Sequence, residues 1–411
     1  MKIIQRNIQN RITEALHDRP VVLLNGARQT GKSTLIQEIC KQGGIPYFTL
    51  DDFTVLSAIQ ADPSGFLSGI KGPVALDEVQ RVPELFLAIK AEVDKDRSAG
   101  RFLLTGSANV MFLPRLSEML VGRMEILSLW PFSTGEILGK KERFLDILFS
   151  DQTPFLKGED FDRKRFFYNM VTGGYPEVLK LDSDHRKIAW FQSYISTLVQ
   201  RDVKDLSRIE GLSKMPRLLS LLAEQVGCLL NMSGLSKKLG ISNMTLKRYA
   251  RLFQAIFIAQ LLPAWFGNVG KRLIKAPKVF LNDTGVLTFL LGLNVDQLLI
   301  NPHKTGPVLE NFVLQELNKQ KSWSDIRLNL CYYRTATGKE VDFVLESLDG
   351  RIVGIEVKSA SAVQSIDFKG LYDLSESVGD RFHRGVVLYL GDATIPFGEN
   401  LHAMPIRGLW M

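Results

Sequence analysis

The stretch that decides the fold is VVLLNGARQTGKSTLI, residues 21–36. An apolar run typical of a buried strand leads into Gly26-x-x-x-x-Gly31-Lys32-Ser33, and a helix-forming segment follows. Glycines at positions 26 and 31 let the backbone curl so that its N–H groups point at phosphate oxygens, beside the positive end of the helix. The pattern predicts a P-loop. Its predicted nucleotide-binding residues are Gly26, Ala27, Arg28, Gln29, Thr30, Gly31, Lys32, Ser33 and Thr34.

Two acidic residues follow a second apolar run, GPVALDEVQ at residues 72–80. Lys32 is expected to reach the β- and γ-phosphates of ATP, and Ser33 to offer its hydroxyl to Mg²⁺. Asp77 suits the same Mg²⁺ shell, and Glu78 suits activation of the attacking water. The sequence therefore predicts ATP and Mg²⁺ as cofactors and the hydrolysis of ATP to ADP and phosphate.

A third buried strand is predicted in RFLLTGSAN, residues 101–109. Ser107, or Asn109 beyond it, could contact the γ-phosphate or the lytic water. The alternative is that Thr105 and Ser107 simply end a strand. Ser107 is therefore a candidate catalytic residue, with Lys32 and Glu78.

A further apolar strand is predicted in MLVGRMEILSL, residues 119–129, with Arg123 at its start. With these segments in this order, the chain resembles the AAA+ ATPases. The resemblance implies core strands at residues 21–25, 47–50, 74–76, 102–105 and 125–129. It also implies that Arg123 is a catalytic arginine finger for a neighbouring subunit, and so a homo-oligomer. The alternative is an arginine paired with Glu118 or Glu125.

The middle of the chain changes in charge. Residues 141–215 have a helical pattern and are predicted to form a lid. Between Glu224 and Asp283 there is no acidic residue. Basic residues are frequent there: Lys237, Lys238, Lys247, Arg248, Arg251, Lys271, Arg272, Lys275 and Lys278.

The segment MSGLSKKLGISNMTLKRYARLFQ, residues 232–254, predicts a helix-turn-helix within this basic region. Strands on either side of residues 267–270 would add a wing. DNA binding through backbone phosphates is the favoured interpretation, because a lid function alone does not explain the missing acids. A structural lid or a protein-docking module is the alternative. The predicted DNA-binding residues are Lys237, Lys238, Lys247, Arg248, Arg251, Lys271 and Arg272.

A hairpin with two carboxylates and a lysine is predicted in GKEVDFVLESLDGRIVGIEVKS, residues 338–359. Side chains alternate along a strand, so Glu356 and Lys358 share a face, and Asp342 leads the partner strand. Converging carboxylates repel one another unless a cation neutralises them. Helical Glu310, Asp342 and Glu356-x-Lys358 resemble the PD-(D/E)XK nuclease pattern, which implies a metal-dependent nuclease-like site. The alternative is hairpin charges that face solvent, and cleavage itself stays open.

Taken whole, the chain resembles a group of bacterial and archaeal ATPases in which an AAA+ domain precedes a C-terminal region of unassigned function. The shared segments are GARQTGKST, ALDEVQ, LLTGSAN, GGYPE, KAPKVFLNDTG, LENFVLQEL, GKEVDF and IEVKS. The expected fold class is α/β. The expected domains are a P-loop AAA+ core at 1–140, a helical lid at 141–215, a basic winged helix-turn-helix at 216–293 and a restriction-endonuclease-like domain at 294–411.

Composition limits the broad class. With 411 residues and 45% hydrophobic residues, the chain is expected to build several globular cores. Its three cysteines suit neither a disulfide framework nor a zinc site, and no export or membrane segment is evident, so a cytoplasmic protein is expected.

The predicted function is an ATP-hydrolysing protein acting on DNA, by binding, branch processing or remodelling, with a C-terminal nuclease-like domain. The alternative is an ATP-dependent switch or scaffold that binds a protein partner and carries an inactive nuclease-like fold.

Overall fold

The computed structural model describes residues 4–108, 122–152, 155–156, 158, 161–202, 212–267 and 275–411. The chain divides into two compact units. The first comprises the described residues of Met1–Phe132 with Tyr175–Glu177 and Arg251–Ile258, and the second comprises those of Ser133–Gly174, Val178–Ala250 and Ala259–Met411. The predicted division into four domains stays a prediction.

The first unit is built on a five-stranded parallel sheet in the order β2-β3-β4-β1-β5. Its strands are β1 (Val21–Asn25), β2 (Tyr47–Thr49), β3 (Val74–Asp77), β4 (Phe102–Gly106) and β5 (Met124–Ser128). Its helices are Gln9–Asp18, Lys32–Gly43, Phe53–Ala61, Pro63–Ser68 and Leu85–Lys95, with a 3-10 turn at Val79–Arg81. Each of the five strands lies within one residue of its predicted bounds, which confirms the predicted P-loop AAA+ sheet.

The register of this sheet brings the candidate nucleotide site to one edge. β1 is buried along its whole length, as expected of a central parallel strand. Asn25 at its end lies beside Gly106 of β4 and Ser128 of β5, and Thr49 pairs with Asp77 at the end of β3. Because parallel strands end on the same edge, the residues that follow β1, β3 and β4 meet there.

The second unit holds a mixed six-stranded sheet in the order β12-β13-β11-β10-β9-β8. Its strands are β8 (Leu328–Arg334), β9 (Glu340–Ser347), β10 (Ile352–Val357), β11 (Phe382–Tyr389), β12 (Ile395–Pro396) and β13 (Leu401–Pro405). β10 is antiparallel to β9 and parallel to β11, as in many α/β domains. The whole chain is therefore α/β, as predicted.

Helices and turns make up the rest of the described chain, and the helix Asn243–Ala255 runs from the second unit into the first. The α-helices are Thr134–Leu138, Phe144–Leu148, Arg163–Thr172, Asp184–Thr197, Met215–Ala223, Met232–Leu239, Asn243–Ala255, Thr284–Leu291, Val295–Ile300, Pro302–Lys321 and Lys369–Val378. A π-helical turn lies at Leu198–Asp202, and 3-10 turns lie at Val178–Lys180, Leu212–Lys214, Ser365–Phe368, Gly379–Arg381 and Ile406–Trp410. Among the described residues, no helix is long and apolar enough to cross a membrane.

Two helices separated by a short turn stand where the helix-turn-helix was predicted. Met232–Leu239 ends at Gly240, which has a φ of 59° and lets the chain turn, and Asn243–Ala255 follows. Leu246, Tyr249 and Phe253 recur at helical spacing on the second helix and are buried. Strands β6 (Ala259–Leu262) and β7 (Lys278–Leu281) then pair antiparallel. Residues 268–274 of the connection between them lie outside the described residues, so the wing stays a prediction.

Candidate functional site

The P-loop follows β1 and leads directly into the helix that begins at Lys32. Gly26 lies so close to Leu129 that an added Cβ would stand 2.2 Å from its carbonyl oxygen. Gly31 precedes the helix with a φ of 94°, a conformation that favours glycine. The Lys32 ammonium is buried and donates to the carbonyl oxygens of Gly26 at 2.9 Å and Ala27 at 2.8 Å. The lysine therefore lies against the loop that it is predicted to serve.

Asp77 ends β3 and Glu78 follows it, on the same edge of the sheet as this loop. Asp77 is buried and accepts hydrogen bonds from the Tyr47 hydroxyl at 2.6 Å and from the Thr105 hydroxyl. Burial, together with the Asp77 carboxylate, raises the pKa of Tyr47, so this phenol stays a donor. Glu78 is half-buried and has a φ of 60°, unusual for a residue with a side chain.

Ser107 contacts Glu78, which gives the candidate sensor residue a defined partner. The Ser107 hydroxyl donates to the Glu78 carboxylate at 3.1 Å. The Gln80 amide contacts both groups, donating to the Ser107 oxygen at 2.8 Å and to Glu78. The Thr105 oxygen also accepts the Glu78 backbone N–H at 3.1 Å. The catalytic role of Ser107 stays a prediction. Asn109 lies outside the described residues.

Sequence reasoning missed three residues of this network: Tyr47, Gln80 and Thr105. Tyr47 reaches Asp77 from β2, a strand that carries no motif of its own. Gln80 stands within the quoted acidic segment, and its position two residues after Glu78 was the available signal. Thr105 lies opposite Leu24 of β1, near the end of β4. Its contact with the acids depends on β4 being the neighbour of β3, and the sequence does not give the order of the strands.

Arg123 is paired within its own chain. Its guanidinium contacts the Asp94 carboxylate, with Nε at 2.8 Å and Nη2 at 2.7 Å. Of the two alternative partners predicted from the sequence, Glu118 lies outside the described residues, and Glu125 contacts Arg11 at 3.3 Å. The arginine-finger role of Arg123 stays a prediction.

The residues of this edge fit a nucleotide and a magnesium ion. A buried ammonium, a curled glycine loop and the first turn of a helix are the donors that polyphosphate requires. The Ser33 hydroxyl stands half-buried in that first turn, and Asp77 supplies a carboxylate. Hydroxyl and carboxylate oxygens are ligands that Mg²⁺ prefers.

The second candidate site lies in the mixed sheet, where three of its four predicted residues converge. The Asp342 carboxylate accepts the Val357 N–H at 2.9 Å, and Glu356 accepts the Asp342 N–H at 3.3 Å. The Lys358 ammonium lies 2.9 Å from Glu356. These partly buried charges therefore point at one another across β9 and β10.

Glu310 joins this group through Lys278, one of the basic residues between Glu224 and Asp283. The Lys278 ammonium, on β7, lies 2.9 Å from Glu310, 2.6 Å from Glu340 and 3.5 Å from Asp342. Only 2% of the Lys278 side chain is exposed. The position between Glu310 and Asp342, where a divalent cation is expected, is therefore taken by an ammonium. These residues do not fit a metal ion in this arrangement.

The electrostatics of this acidic group follow from burial. Burial, and then the charge of Asp342, raise the pKa of Glu310 to about 8 and that of Glu356 to about 8. Burial alone would lower the pKa of Lys278, but Glu310, Asp342 and Glu340 outweigh it and raise that pKa. Lys278 therefore stays charged. Among the described residues, no group of three or more His, Cys, Asp or Glu side chains is arranged to hold a metal.

The predicted DNA-binding residues are distributed over the two helices of the helix-turn-helix. Those within the described residues are all exposed, namely Lys237, Lys238, Lys247, Arg248 and Arg251. Lys271 and Arg272 lie outside the described residues. Exposure is what phosphate contact requires, so the arrangement leaves the DNA prediction intact without testing it.

The parallel sheet, the P-loop and the acids at the end of β3 define a P-loop protein of the AAA+ ATPase class. An AAA-domain family model matches residues 18–138. Two models of domains of unknown function match the rest, DUF8612 over residues 163–297 and DUF4143 over residues 305–409.

Two mycobacterial proteins are similar to this chain over most of its length. The chain is 32% identical over 409 residues to uncharacterized protein Rv2008c of Mycobacterium tuberculosis. The matched region covers 98% of this chain and 84% of that protein. The same figures hold for uncharacterized protein Mb2031c of Mycobacterium bovis. The chain belongs to the family of these mycobacterial proteins.

A solved structure is also similar. The Walker-type ATPase PABY2304 of Pyrococcus abyssi is 15% identical, with a TM-score of 0.42, over 70% of this chain and 96% of that one.

Proposed function

We propose that this chain binds and hydrolyses ATP and uses hydrolysis to act on DNA. The observation that carries the proposal is the hydrogen-bonded group of Asp77, Glu78 and Ser107, which lies at the ends of β3 and β4, on the same edge of the sheet as the P-loop. A carboxylate positioned next to a phosphate-binding loop is the arrangement that ATP hydrolysis needs.

Each residue has a distinct role in the proposed reaction. Lys32 neutralises charge on the β- and γ-phosphates, and Ser33 and Asp77 hold Mg²⁺. Bound Mg²⁺ would screen the phosphate oxygens. Glu78 orients a water and accepts its proton as the water oxygen bonds to the γ-phosphorus and the bond to the ADP oxygen breaks.

Ser107 and Gln80 hold the Glu78 carboxylate in place. Both contact its Oε2 atom, so the remaining oxygen can face the lytic water. Loss of either contact should loosen the base without removing it. Replacing Ser107 should therefore lower kcat less than replacing Glu78, so that an experiment can distinguish the two roles.

The test of hydrolysis compares four proteins in a steady-state phosphate-release assay with Mg²⁺. Glu78→Gln should bind a fluorescent ATP analogue like the parent and hydrolyse ATP about 10²- to 10⁴-fold more slowly. Lys32→Ala should lose binding, and Ser107→Ala should lower kcat less than Glu78→Gln. If Glu78→Gln hydrolyses ATP at the parent rate, the assignment of Glu78 is wrong.

Support for a DNA substrate comes from the exposed basic side chains of the helix-turn-helix. Their positive charges have no acidic neighbours along residues 225–282, so the local field favours a polyanion. Phosphate contacts of this kind make affinity fall steeply with salt. We therefore propose duplex, single-stranded or branched DNA as the partner.

The DNA proposal is tested by a charge-removal triple with a matched control. Changing Lys247, Arg248 and Arg251 together to Ala should weaken DNA binding and reduce the slope of log Kd against log salt by about 3. The control triple replaces exposed lysines outside the module, Lys141, Lys164 and Lys304, and should leave the slope unchanged. Equal slopes for parent and both triples, with no DNA stimulation of hydrolysis, would contradict the proposal.

A second candidate function is an ATP-dependent switch or scaffold that binds a protein partner. It is favoured by one observation: the nuclease-like acids are occupied by Lys278. Metal-dependent cleavage is absent under this candidate. ATP hydrolysis that no DNA stimulates would favour it over action on DNA.

A further inference from the structure

The acidic group of Glu310, Glu340 and Asp342 encloses a single buried ammonium. Lys278 contacts all three carboxylates at 2.6 to 3.5 Å, and its side chain is almost wholly buried. Glu340 also receives Arg334 at 3.1 Å. A buried lysine is costly unless its charge is paired, and here several carboxylates pair it.

The backbone near residue 227 covers the same group from another side. Gly227 has a φ of 77°, and an added Cβ would stand 2.7 Å from a carboxylate oxygen of Glu310. Residues Val226 and Leu229 make β-bridges to β7, the strand that carries Lys278. The chain around the helix-turn-helix therefore closes over Glu310.

The neighbouring carboxylates are also engaged. One oxygen of Asp342 faces Lys278 and the other accepts the Val357 N–H. One oxygen of Glu356 faces Lys358, and the other accepts the Asp342 N–H. A divalent cation would have to compete with a donor at every oxygen of this pair.

We propose that Lys278 is a built-in cation that takes the place of a divalent metal in this nuclease-like site, making the site a metal-independent ion-pair centre. The centre fastens β7 to helix Pro302–Lys321 and to β9. The inference is independent of the proposed ATPase and of DNA binding, because none of its residues belongs to either.

Removing the ammonium should leave a cluster of uncompensated buried carboxylates. Lys278→Met keeps a long unbranched side chain and deletes the charge, and its melting temperature should fall by on the order of 10 °C. Lys278→Met combined with Glu310→Gln removes both partners and should recover part of that loss. Lys275→Met, an exposed lysine three positions earlier, is the matched control and should melt like the parent.

The deciding measurement is the response to Mn²⁺ without nucleotide, by melting and by a plasmid-cleavage assay. The parent and Asp342→Asn should shift equally, by less than about 1 °C, and neither should cut DNA. Lys278→Met should gain a Mn²⁺-dependent stabilisation, because Glu310 and Asp342 then lack the Lys278 ammonium. If Lys278→Met does not fold, the comparison of the Mn²⁺ response of the parent with that of Asp342→Asn still tests the proposal.

Two results would overturn the proposal. One is a Mn²⁺-dependent stabilisation of the parent that disappears in Asp342→Asn. The other is Mg²⁺- or Mn²⁺-dependent cleavage by the parent that disappears in Asp342→Asn or Lys358→Ala. Either can occur with ATP hydrolysis intact, so failure here is distinguishable from failure of the proposed function.

Discussion

Replacing Thr105 by valine removes one hydroxyl and keeps the shape of the side chain. Thr105 is fully buried on β4. Its hydroxyl donates to Asp77 and its oxygen accepts the Glu78 N–H at 3.1 Å. Valine leaves both acidic residues of the ATP site without these contacts, so we expect a loss of stability and of hydrolysis.

The size of the stability loss can be worked from the two contacts. A hydrogen bond to an ionised carboxylate contributes about 1.5–3 kcal/mol, and a buried N–H without an acceptor costs about 1–3 kcal/mol. Asp77 keeps the Tyr47 hydroxyl at 2.6 Å, so the lower part of each range applies. The free energy of unfolding should fall by about 3 kcal/mol. Thr105→Ser keeps the hydroxyl and should lose only about 1 kcal/mol for the methyl group.

Hydrolysis should suffer as well, because the same hydrogen bond holds the backbone of Glu78. A non-glycine residue at a φ of 60° persists only where its surroundings hold it. Without the Thr105 hydroxyl the Glu78 backbone loses this hydrogen bond, the carboxylate is held less firmly, and kcat should fall about tenfold or more.

Melting curves with and without ATP give the assay, since the transition that ATP raises belongs to the first unit. Phosphate release gives kcat. If Thr105→Val loses no more stability than Thr105→Ser and keeps the parent kcat, the structural reasoning is refuted.

Three further perturbations test other parts of the chain. Gly370→Ala should lower the free energy of unfolding in urea by about 2–3 kcal/mol, because its Cβ would stand 1.9 Å from the Glu340 carbonyl oxygen. A loss below about 1 kcal/mol, the size expected of a surface substitution, would contradict this. Burial, and then the charge of Glu316, raise the pKa of Glu142 from 4.5 to about 8. Its contribution to stability is therefore present below pH 4.5 and lost as the pH rises through 8. Glu142→Gln should make the melting temperature less dependent on pH over that window, and parallel plots of melting temperature against pH for variant and parent would contradict this assignment. If Arg123 acts in a neighbouring subunit, a Lys32→Ala subunit can supply its arginine to the intact P-loop of an Arg123→Ala subunit, so the mixture should show more ATPase activity than the sum of the two variants alone. An activity equal to that sum would assign Arg123 to its pair with Asp94.

The sequence predicts the first unit well because its signals are local. Each core strand is a short apolar run that ends in a polar or glycine residue, and parallel register then brings those ends together. Asp342, Glu356 and Lys358 could be placed together for a similar reason, since strand alternation and a short turn fix which side chains share a face.

The partners that complete both sites come from distant parts of the chain. Tyr47 reaches Asp77 from a strand without a motif, and Lys278 stands 32 positions before Glu310 and 64 positions before Asp342. No periodicity or spacing rule links such positions. Lys278 was counted with the basic residues of its segment because charge along the sequence does not distinguish a surface lysine from one that neutralises buried acids.

That reassignment limits the DNA contacts the basic segment can make. Of the nine basic residues between Glu224 and Asp283, Lys278 is buried among carboxylates that lie outside the segment. At most eight remain for phosphate contact, so the slope of log affinity against log salt for duplex DNA should be no steeper than about −7 if this module acts alone. A steeper slope in the parent protein would mean that basic residues elsewhere in the chain, or a second copy of it, also bind the DNA.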